Sequence, residues 1–198
     1  RCVNDTPDLL VVGHDVITMN ARREILRHGA VAVRSGVITA IGKADDLRAR
    51  WPGVPVLGDD DAVVTPGFVN AHHHLTGDRL IRSTIPDDLP PGEAIFTWVV
   101  PVHAAHAPDD DELSATLSAA EQVENGITTI VEAGTVAHPT RVATALRHVG
   151  VRGTVGTWGW DVEDGPYAAP AAEVLERQAA LLDEQAGDPL VQGWVTLV

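Results

Sequence analysis

The stretch VVTPGFVNAHHH, residues 63–74, decides how the rest of this chain is interpreted. Its β-branched, apolar residues are typical of a strand over residues 63–70, buried in a core, with three histidines at its carboxyl end. Alternate side chains of a strand share a face, so His72 and His74 would point one way and His73 the other. Two imidazoles on one face can bind one metal ion, at about 2.0–2.1 Å from each nitrogen. The alternative is a chance cluster of surface histidines.

Three segments resemble parts of the amidohydrolase superfamily. PGFVNAHHHL, residues 66–75, resembles the first barrel strand, and its Asn-x-His-x-His form is most similar to the branch of chlorohydrolases and cytosine, guanine and adenosine-type deaminases. GAVAVRSGVITAIG, residues 29–42, resembles the β-sandwich that precedes the barrel, and GITTIV, residues 126–131, resembles the second barrel strand. The resemblance implies an α/β fold: the amino-terminal half of a TIM (β/α)8 barrel, preceded by part of a small β-sandwich.

Residues 1–62 are predicted to form the partial β-sandwich domain. Short apolar runs predict its strands, and Ser35-Gly36 is a two-residue hairpin signal. We expect a small antiparallel domain, with a helix over 44–50 and strands over 8–12, 16–19, 24–28, 30–34, 37–41 and 54–57.

Residues 63–198 are predicted to form the first half of the hydrolase barrel, because strands and helices alternate after residue 108. Acidic residues 109–112 favour a helix start, Gly126 ends that helix, and Pro139 and Gly150 bound the next. Further strands are expected over 127–131, 151–158 and 190–198, which implies a parallel sheet with right-handed crossovers. The helices should bury apolar stripes made of Leu113, Leu117, Ala120 and Val123, then Val142, Ala145, Leu146 and Val149, then Val174, Leu175, Leu181 and Leu182.

Four predicted barrel strands are half of the eight that a closed barrel needs. The remainder would come from a longer chain, which we favour, or from a complementary chain. Separately, the protein could assemble as a homo-oligomer. The net charge of −14 argues against nucleic acid, and no apolar run approaches the roughly 18 residues of a membrane span. The single cysteine excludes an intramolecular disulfide. Without a signal-peptide pattern, we expect a cytoplasmic protein.

The resemblance implies a metal-dependent hydrolase that acts on carbon–nitrogen bonds other than peptide bonds, by deamination or a related hydrolysis of a small, nitrogen-rich compound. His72 and His74 would bind the divalent metal, Zn2+ or alternatively iron or manganese. The family's other ligands and its proton-handling glutamate lie in later strands, so the isolated chain should be a weak metal binder without turnover. A deacetylase or imidazolone-type amidohydrolase, or a non-catalytic half-barrel subunit that needs a partner chain, are the alternatives.

Candidate substrate-binding residues lie at the predicted mouth of the barrel. Glu93 and Trp98, with Phe96, fall in the long connection 75–108, which in the resembling enzymes covers the active site. Residues that follow barrel strands lie where barrel chemistry gathers, although helix capping is an equally good explanation for them; these are Glu132, His138 and Asp161.

Other polar residues near these candidates have more modest expected roles. Asn70 should share the face of His72 and His74, where it would support a ligand or have a structural role. His103 and His106 could share a helix face, but without a third ligand nearby we expect them at the surface.

Overall fold

The computed structural model describes residues 5–77, 83–162 and 165–197. The chain forms two compact units, residues 1–66 and 67–198. Within the described ranges, every helix is too short or too polar to span a lipid bilayer.

The first unit is built on one sheet. Its elements are β1 (Leu9–Ile17), β2 (Ile25–Arg34), β3 (Val37–Lys43), α1 (Ala44–Arg50), β4 (Val56–Leu57) and β5 (Val63–Val64). The strand order is β3-β2-β1-β4, and β5 also pairs with β1. The core beneath α1 consists of Leu10, Val12, Ala30, Ala32, Ala44, Leu47 and Trp51.

The expectation of a purely antiparallel first domain is wrong, because β4 and β5 both run parallel to β1. The crossover through α1 returns the chain in the same direction as β1, which a hairpin cannot do. The strands predicted over 8–12 and 16–19 are a single strand, since β2 pairs with β1 from Leu9 to Ile17.

The second unit alternates strands and helices as predicted. Its elements are β6 (Phe68–His73), α2 (Pro91–Glu93), a π-helical turn (Ala94–Val99), α3 (Val100–Ala105), α4 (Pro108–Glu124), β7 (Ile127–Glu132), α5 (Pro139–Val149), β8 (Arg152–Val155), α6 (Ala171–Glu184) and β9 (Val191–Gly193). The sheet order is β6-β7-β8-β9 and every pairing is parallel. Four parallel strands in sequential order, joined by helices, are the architecture of half a barrel.

The predicted strand over 63–70 is divided between the two units. Val63 and Val64 pair with β1, and β6 begins only at Phe68. Phe68 is 65% exposed and Val69 is 62% exposed, so the expectation that this apolar run is buried is wrong. Among the described residues, β6 is an edge strand of its sheet and has β7 on one side only, which leaves its apolar side chains uncovered.

Helix α5 buries the apolar stripe that its sequence predicts. Val142, Ala145 and Leu146 lie in the main core with Ile130, Val151, Val155 and Val191 from the strands. Gly150 ends the helix in the left-handed region at φ 81°, where glycine has no steric penalty.

Helix α4 buries a different face from the predicted one. Leu113 is 61% exposed and Leu117 is 47% exposed, whereas Asp111, Ser114, Ala115, Ser118 and Ala119 are buried. The polar residues among the buried ones have hydrogen-bond partners: Ser118 bonds to His73 of β6, Ser114 to the carbonyl of Thr76, and Asp111 to His106 and His138. In α6, Val174 and Leu181 are buried as predicted, but Leu175 and Leu182 are exposed and Gln178 takes their place.

Candidate functional site

Two histidine side chains meet at the carboxyl end of β6. The Nε2 atoms of His72 and His74 are 3.2 Å apart, and their rings lie nearly perpendicular. Two nitrogens bound tetrahedrally to one zinc ion, at about 2.0–2.1 Å each, would be about 3.3 Å apart. In the absence of a cation, one of these nitrogens has to donate a proton to the other. The spacing therefore fits two ligands of one metal ion.

The ring of His74 is held from its other side. Its Nδ1 lies 2.6 Å from the hydroxyl oxygen of Thr135. When Nδ1 carries the proton and donates it to Thr135, Nε2 has a lone pair directed toward His72. Metal-binding histidines commonly have such a partner, which fixes the tautomer and the ring orientation.

His73 and Asn70 lie on the opposite face of β6. The Nε2 of His73 is 2.7 Å from Ser118 Oγ, and Asn70 Nδ2 donates to Gln122 Oε1 at 2.9 Å, both on α4. The orientation of His73 agrees with the sequence prediction, but the prediction that Asn70 shares the face of the metal-binding histidines is wrong. The pairing of β6 with β7 shifts register between Asn70 and His73, and this irregularity breaks the strict alternation of side chains.

Glu132 ends β7 as a fully buried carboxyl group. Its Oε2 accepts a hydrogen bond from the backbone N–H of Gly134 at 2.6 Å. Burial raises the pKa of Glu132 to about 8, although the backbone amides of Gly134, Gly156, Ala133 and Thr135 partly oppose this rise. With Ala71, His72 and residues 194–197, it lines a cavity of about 300 Å³. In this position Glu132 organises the backbone after β7, and its predicted contact with substrate stays a prediction.

His138 belongs to a buried polar cluster around Asp111. Asp111 Oδ2 accepts from both the backbone N–H and the Nδ1 of His138, at 3.1 and 2.9 Å, and its Oδ1 lies 2.8 Å from Nδ1 of His106. The carboxylate therefore joins α4, the end of α3 and the start of α5. These contacts explain the position of His138 structurally, and a substrate contact stays a prediction.

The prediction that His103 and His106 lie at the surface is wrong. His103 is 3% exposed, and its Nδ1 lies 3.4 Å from the hydroxyl of Thr76. The His106 side chain is 6% exposed. Burial, together with the neighbouring His106, lowers the pKa of His103 to about 4.

An apolar cavity of about 430 Å³ opens beside His74. It is lined by His74, Ile95, Phe96, Val100, Thr135, Trp158, Trp160 and Val162. Trp158 stacks on Tyr167 with ring centroids 4.5 Å apart, and Phe96 packs against Trp160 at 6.0 Å. The three aromatic side chains in the wall of the cavity, Phe96, Trp158 and Trp160, are therefore each packed against another aromatic ring.

The remaining predicted substrate residues lie outside this wall. Glu93 is exposed in α2, Trp98 is 38% exposed, and Asp161 is exposed after β8. Among the described residues that line the cavity, the long connection contributes Phe96, as predicted, and the segment after β8 contributes Trp158 and Trp160. These tryptophans were missed by sequence reasoning, although their place after a barrel strand was a usable signal.

His72 and His74 are two histidines, and their role as metal ligands stays a prediction. Across residues 5–77, 83–162 and 165–197, no group of three or more His, Cys, Asp or Glu side chains is arranged to hold a metal ion. Catalytic zinc sites typically have three protein ligands and an open position. Within the described residues, the predicted metal ligands His72 and His74 would therefore need a third ligand from elsewhere to complete such a site.

Comparison with known proteins agrees with this geometry. Residues 29–53 match a bacterial imidazolonepropionase-like composite domain, and residues 63–196 match the amidohydrolase family. A 5-methylthioadenosine/S-adenosylhomocysteine deaminase of Syntrophobacter fumaroxidans is 32% identical over 185 residues, which cover 93% of this chain and 41% of that protein. The chain therefore spans about two-fifths of the length of that relative.

Solved structures resemble the whole chain. An adenosine deaminase from Xanthomonas campestris with bound zinc has a TM-score of 0.83 and 28% identity, covering 96% of this chain and 42% of its own. An atrazine chlorohydrolase from Arthrobacter aurescens, complexed with zinc, shares the fold, with a TM-score of 0.79 at 19% identity over 96% of this chain and 46% of its own. With the family match over most of its length, the chain belongs to the amidohydrolase family.

Proposed function

We propose that this chain supplies the first half of the active site of a metal-dependent hydrolase that cleaves carbon–nitrogen bonds other than peptide bonds. The observation that carries the proposal is the 3.2 Å separation of the His72 and His74 Nε2 atoms beside an aromatic cavity. The proposed reaction is the deamination of a small, nitrogen-rich compound.

His72 and His74 would hold a divalent ion, with zinc as our first choice because two of the similar structures contain it. Such an ion, when bound, lowers the pKa of a water molecule toward neutrality and so provides a nucleophile. The residues of this chain would determine where that reaction takes place. His74 and Thr135 also line the aromatic cavity, so a ring bound there lies next to the two histidines.

The proposed substrate class is an adenine nucleoside. Phe96, Trp158 and Trp160 provide flat apolar surfaces, on which a planar heterocycle can stack while water is excluded. The relative from Syntrophobacter fumaroxidans is named for 5-methylthioadenosine and S-adenosylhomocysteine, which both contain adenine.

The other ligands and the proton-handling group would come from the rest of the barrel, on a longer chain or a complementary one. Two histidines alone should bind metal weakly, so the isolated chain is expected to be inactive. A cytoplasmic location and a homo-oligomeric assembly stay predictions from sequence.

The test uses the complete protein, purified with its remaining barrel strands. Its metal content is measured together with ammonia release from 5-methylthioadenosine and adenosine. His72→Ala should lose bound metal and activity together, because it removes half of the described ligand pair. The matched control is His148→Ala, an exposed histidine in α5, which should change neither. An active His72→Ala variant would overturn the site.

A second candidate is an imidazolone-type amidohydrolase, which the match of residues 29–53 to an imidazolonepropionase-like composite domain favours. That reaction opens a cyclic amide and releases no ammonia. Hydrolysis of an imidazolone without ammonia release from adenine nucleosides would therefore select this candidate. A complete protein with neither activity nor metal would instead be a non-catalytic barrel.

A further inference from the structure

We propose that the hydroxyl group of Thr135 positions His74 for metal binding, and that Asp111 holds the loop carrying Thr135 in place. This inference rests on the proposed function, since it names the residues that hold His74, one of the proposed metal ligands, in position. Thr135 is a positioning residue, because it acts through His74.

The contact between Thr135 and His74 sets the position of a proton. Oγ1 of Thr135 lies 2.6 Å from Nδ1 of His74, and in the proposed tautomer the ring carries its proton on Nδ1 and donates it to the hydroxyl oxygen. The lone pair of Nε2 then points toward the Nε2 of His72, 3.2 Å away. Without the hydroxyl, the ring would be free to place its proton on Nε2 and lose its capacity to bind metal there.

The first half of the loop has little freedom to move. Glu132 Oε2 accepts from the N–H of Gly134, whose φ of 92° lies in the left-handed region. A Cβ atom at Gly134 would lie 2.4 Å from Cβ of Thr196, so only glycine fits between the two segments. Thr157 Oγ1 donates to the carbonyl of Val136 at 3.2 Å. Thr135 therefore lies between two fixed neighbours.

The second half of the loop ends at Asp111. This carboxylate is 1% exposed and accepts from both the backbone and the ring of His138. A buried carboxylate is costly unless donors surround it, and here three donors from two segments do so. The orientations of the His106 and His138 side chains are therefore strongly determined. Asp111 fixes where the loop ends, and through the loop it fixes the hydroxyl of Thr135.

A purely structural role for Thr135 makes a different prediction from a positioning role. Valine has nearly the shape of threonine but no hydroxyl, whereas serine keeps the hydroxyl and loses a methyl group. If packing alone mattered, Thr135→Val would be the milder change. If the hydrogen bond to His74 matters, Thr135→Ser is the milder change for metal binding.

The experiment measures zinc affinity of the complete protein by competition with a chromogenic chelator, and the visible absorption spectrum after cobalt substitution. Thr135→Val should weaken zinc binding about 10–100-fold and alter the cobalt spectrum, whereas Thr135→Ser stays within about threefold of the parent. The control is Thr144→Val, which removes a hydroxyl from the exposed side of α5.

Asp111→Asn tests the anchor. The side-chain oxygen of asparagine can accept a hydrogen bond from one of the two histidines. Its NH2 group would then face the Nδ1–H of the other histidine, and two donors would oppose each other. Zinc binding should weaken by a smaller factor than in Thr135→Val, whereas the exposed Asp183→Asn in α6 should have no effect. Unchanged affinity in Asp111→Asn would remove the anchor from the proposal.

The two proposals fail in different ways. If the parent protein binds no zinc, the proposed function and this inference both fall. If the parent binds zinc and Thr135→Val binds it equally well, only the inference is overturned.

Discussion

Helices α4 and α5 pack on the same sheet and both bury alanines, but only α4 also buries polar side chains. Helix α5 buries Val142, Ala145 and Leu146, whereas α4 buries Asp111, Ser114 and Ser118 and leaves Leu113 exposed. Burial of apolar surface stabilises a fold without requiring a particular orientation of the buried groups. Hydrogen bonds, in contrast, hold particular atoms at particular positions. Ser118 on α4 hydrogen-bonds to His73 of β6, Ser114 bonds to the chain just after β6, and Asp111 bonds to His106 and His138. Helix α4 therefore positions particular side chains, whereas α5 mainly stabilises the core.

The largest expected effect tests the stabilising role of α5. Leu146 is fully buried, and its Cδ1 occupies the space that a side chain at Gly153 would need. Leu146→Ala should lower the free energy of unfolding of the complete protein by about 2–5 kcal/mol, because it leaves a cavity. Urea denaturation measures this change.

The control is the same substitution on the other helix. Leu113→Ala changes a side chain that is 61% exposed and should cost less than about 0.5 kcal/mol. If both substitutions cost the same, the exposed stripe of α4 is covered in the complete protein and the contrast between the helices is lost. Neither substitution should change zinc affinity.

The next effect concerns the buried histidines beside α4. The pKa of His103 is lowered from an ordinary 6.5 to about 4, chiefly by burial. Below pH 6.5 the unfolded chain therefore binds a proton that the folded chain does not. His103 has its full stabilising effect above that pH, and this effect is lost as the pH falls toward 4.

Stability curves between pH 7 and pH 4 test this sign. The loss due to His103 should be on the order of 3 kcal/mol across the window, and His103→Gln should lose less on acidification than the parent. His148→Gln, at an exposed position of α5, is the control and should follow the parent curve. A His103→Gln curve parallel to that of the parent would mean that His103 is readily protonated in the folded protein.

Local sequence patterns predicted the parts of the fold that depend on local signals. Strand–helix alternation, the bounds of α5 at Pro139 and Gly150, and the pairing of His72 with His74 on one face follow from periodicity and capping. The inward face of α4 does not follow, because the periodicity argument assumes that the largest apolar side chains are buried. Here hydrogen bonds to His73 on β6 and to the carbonyl of Thr76 just after β6 favour serines at the inward positions instead.

The errors within the site have the same origin. His106 is buried where its ring meets Asp111, a carboxylate that also binds His138, 27 residues away in sequence. Asn70 faces α4 because the register shifts in the pairing with β7, which no local pattern encodes. Non-local hydrogen bonds and strand irregularities therefore place these side chains.

The smallest expected effect tests positioning by α4 directly. Ser118 Oγ lies 2.7 Å from Nε2 of His73, which stands in sequence between the two proposed metal ligands. Ser118→Ala should lower the free energy of unfolding by about 1 kcal/mol, the typical contribution of one hydrogen bond, as measured by urea denaturation. Because His73 faces away from the site, zinc affinity should change far less than in Thr135→Val. The half-buried Thr116→Ser, which keeps a hydroxyl on α4, is the control. A large loss of zinc affinity in Ser118→Ala would mean that the backbone of β6, and not the loop after β7 alone, sets the position of His74.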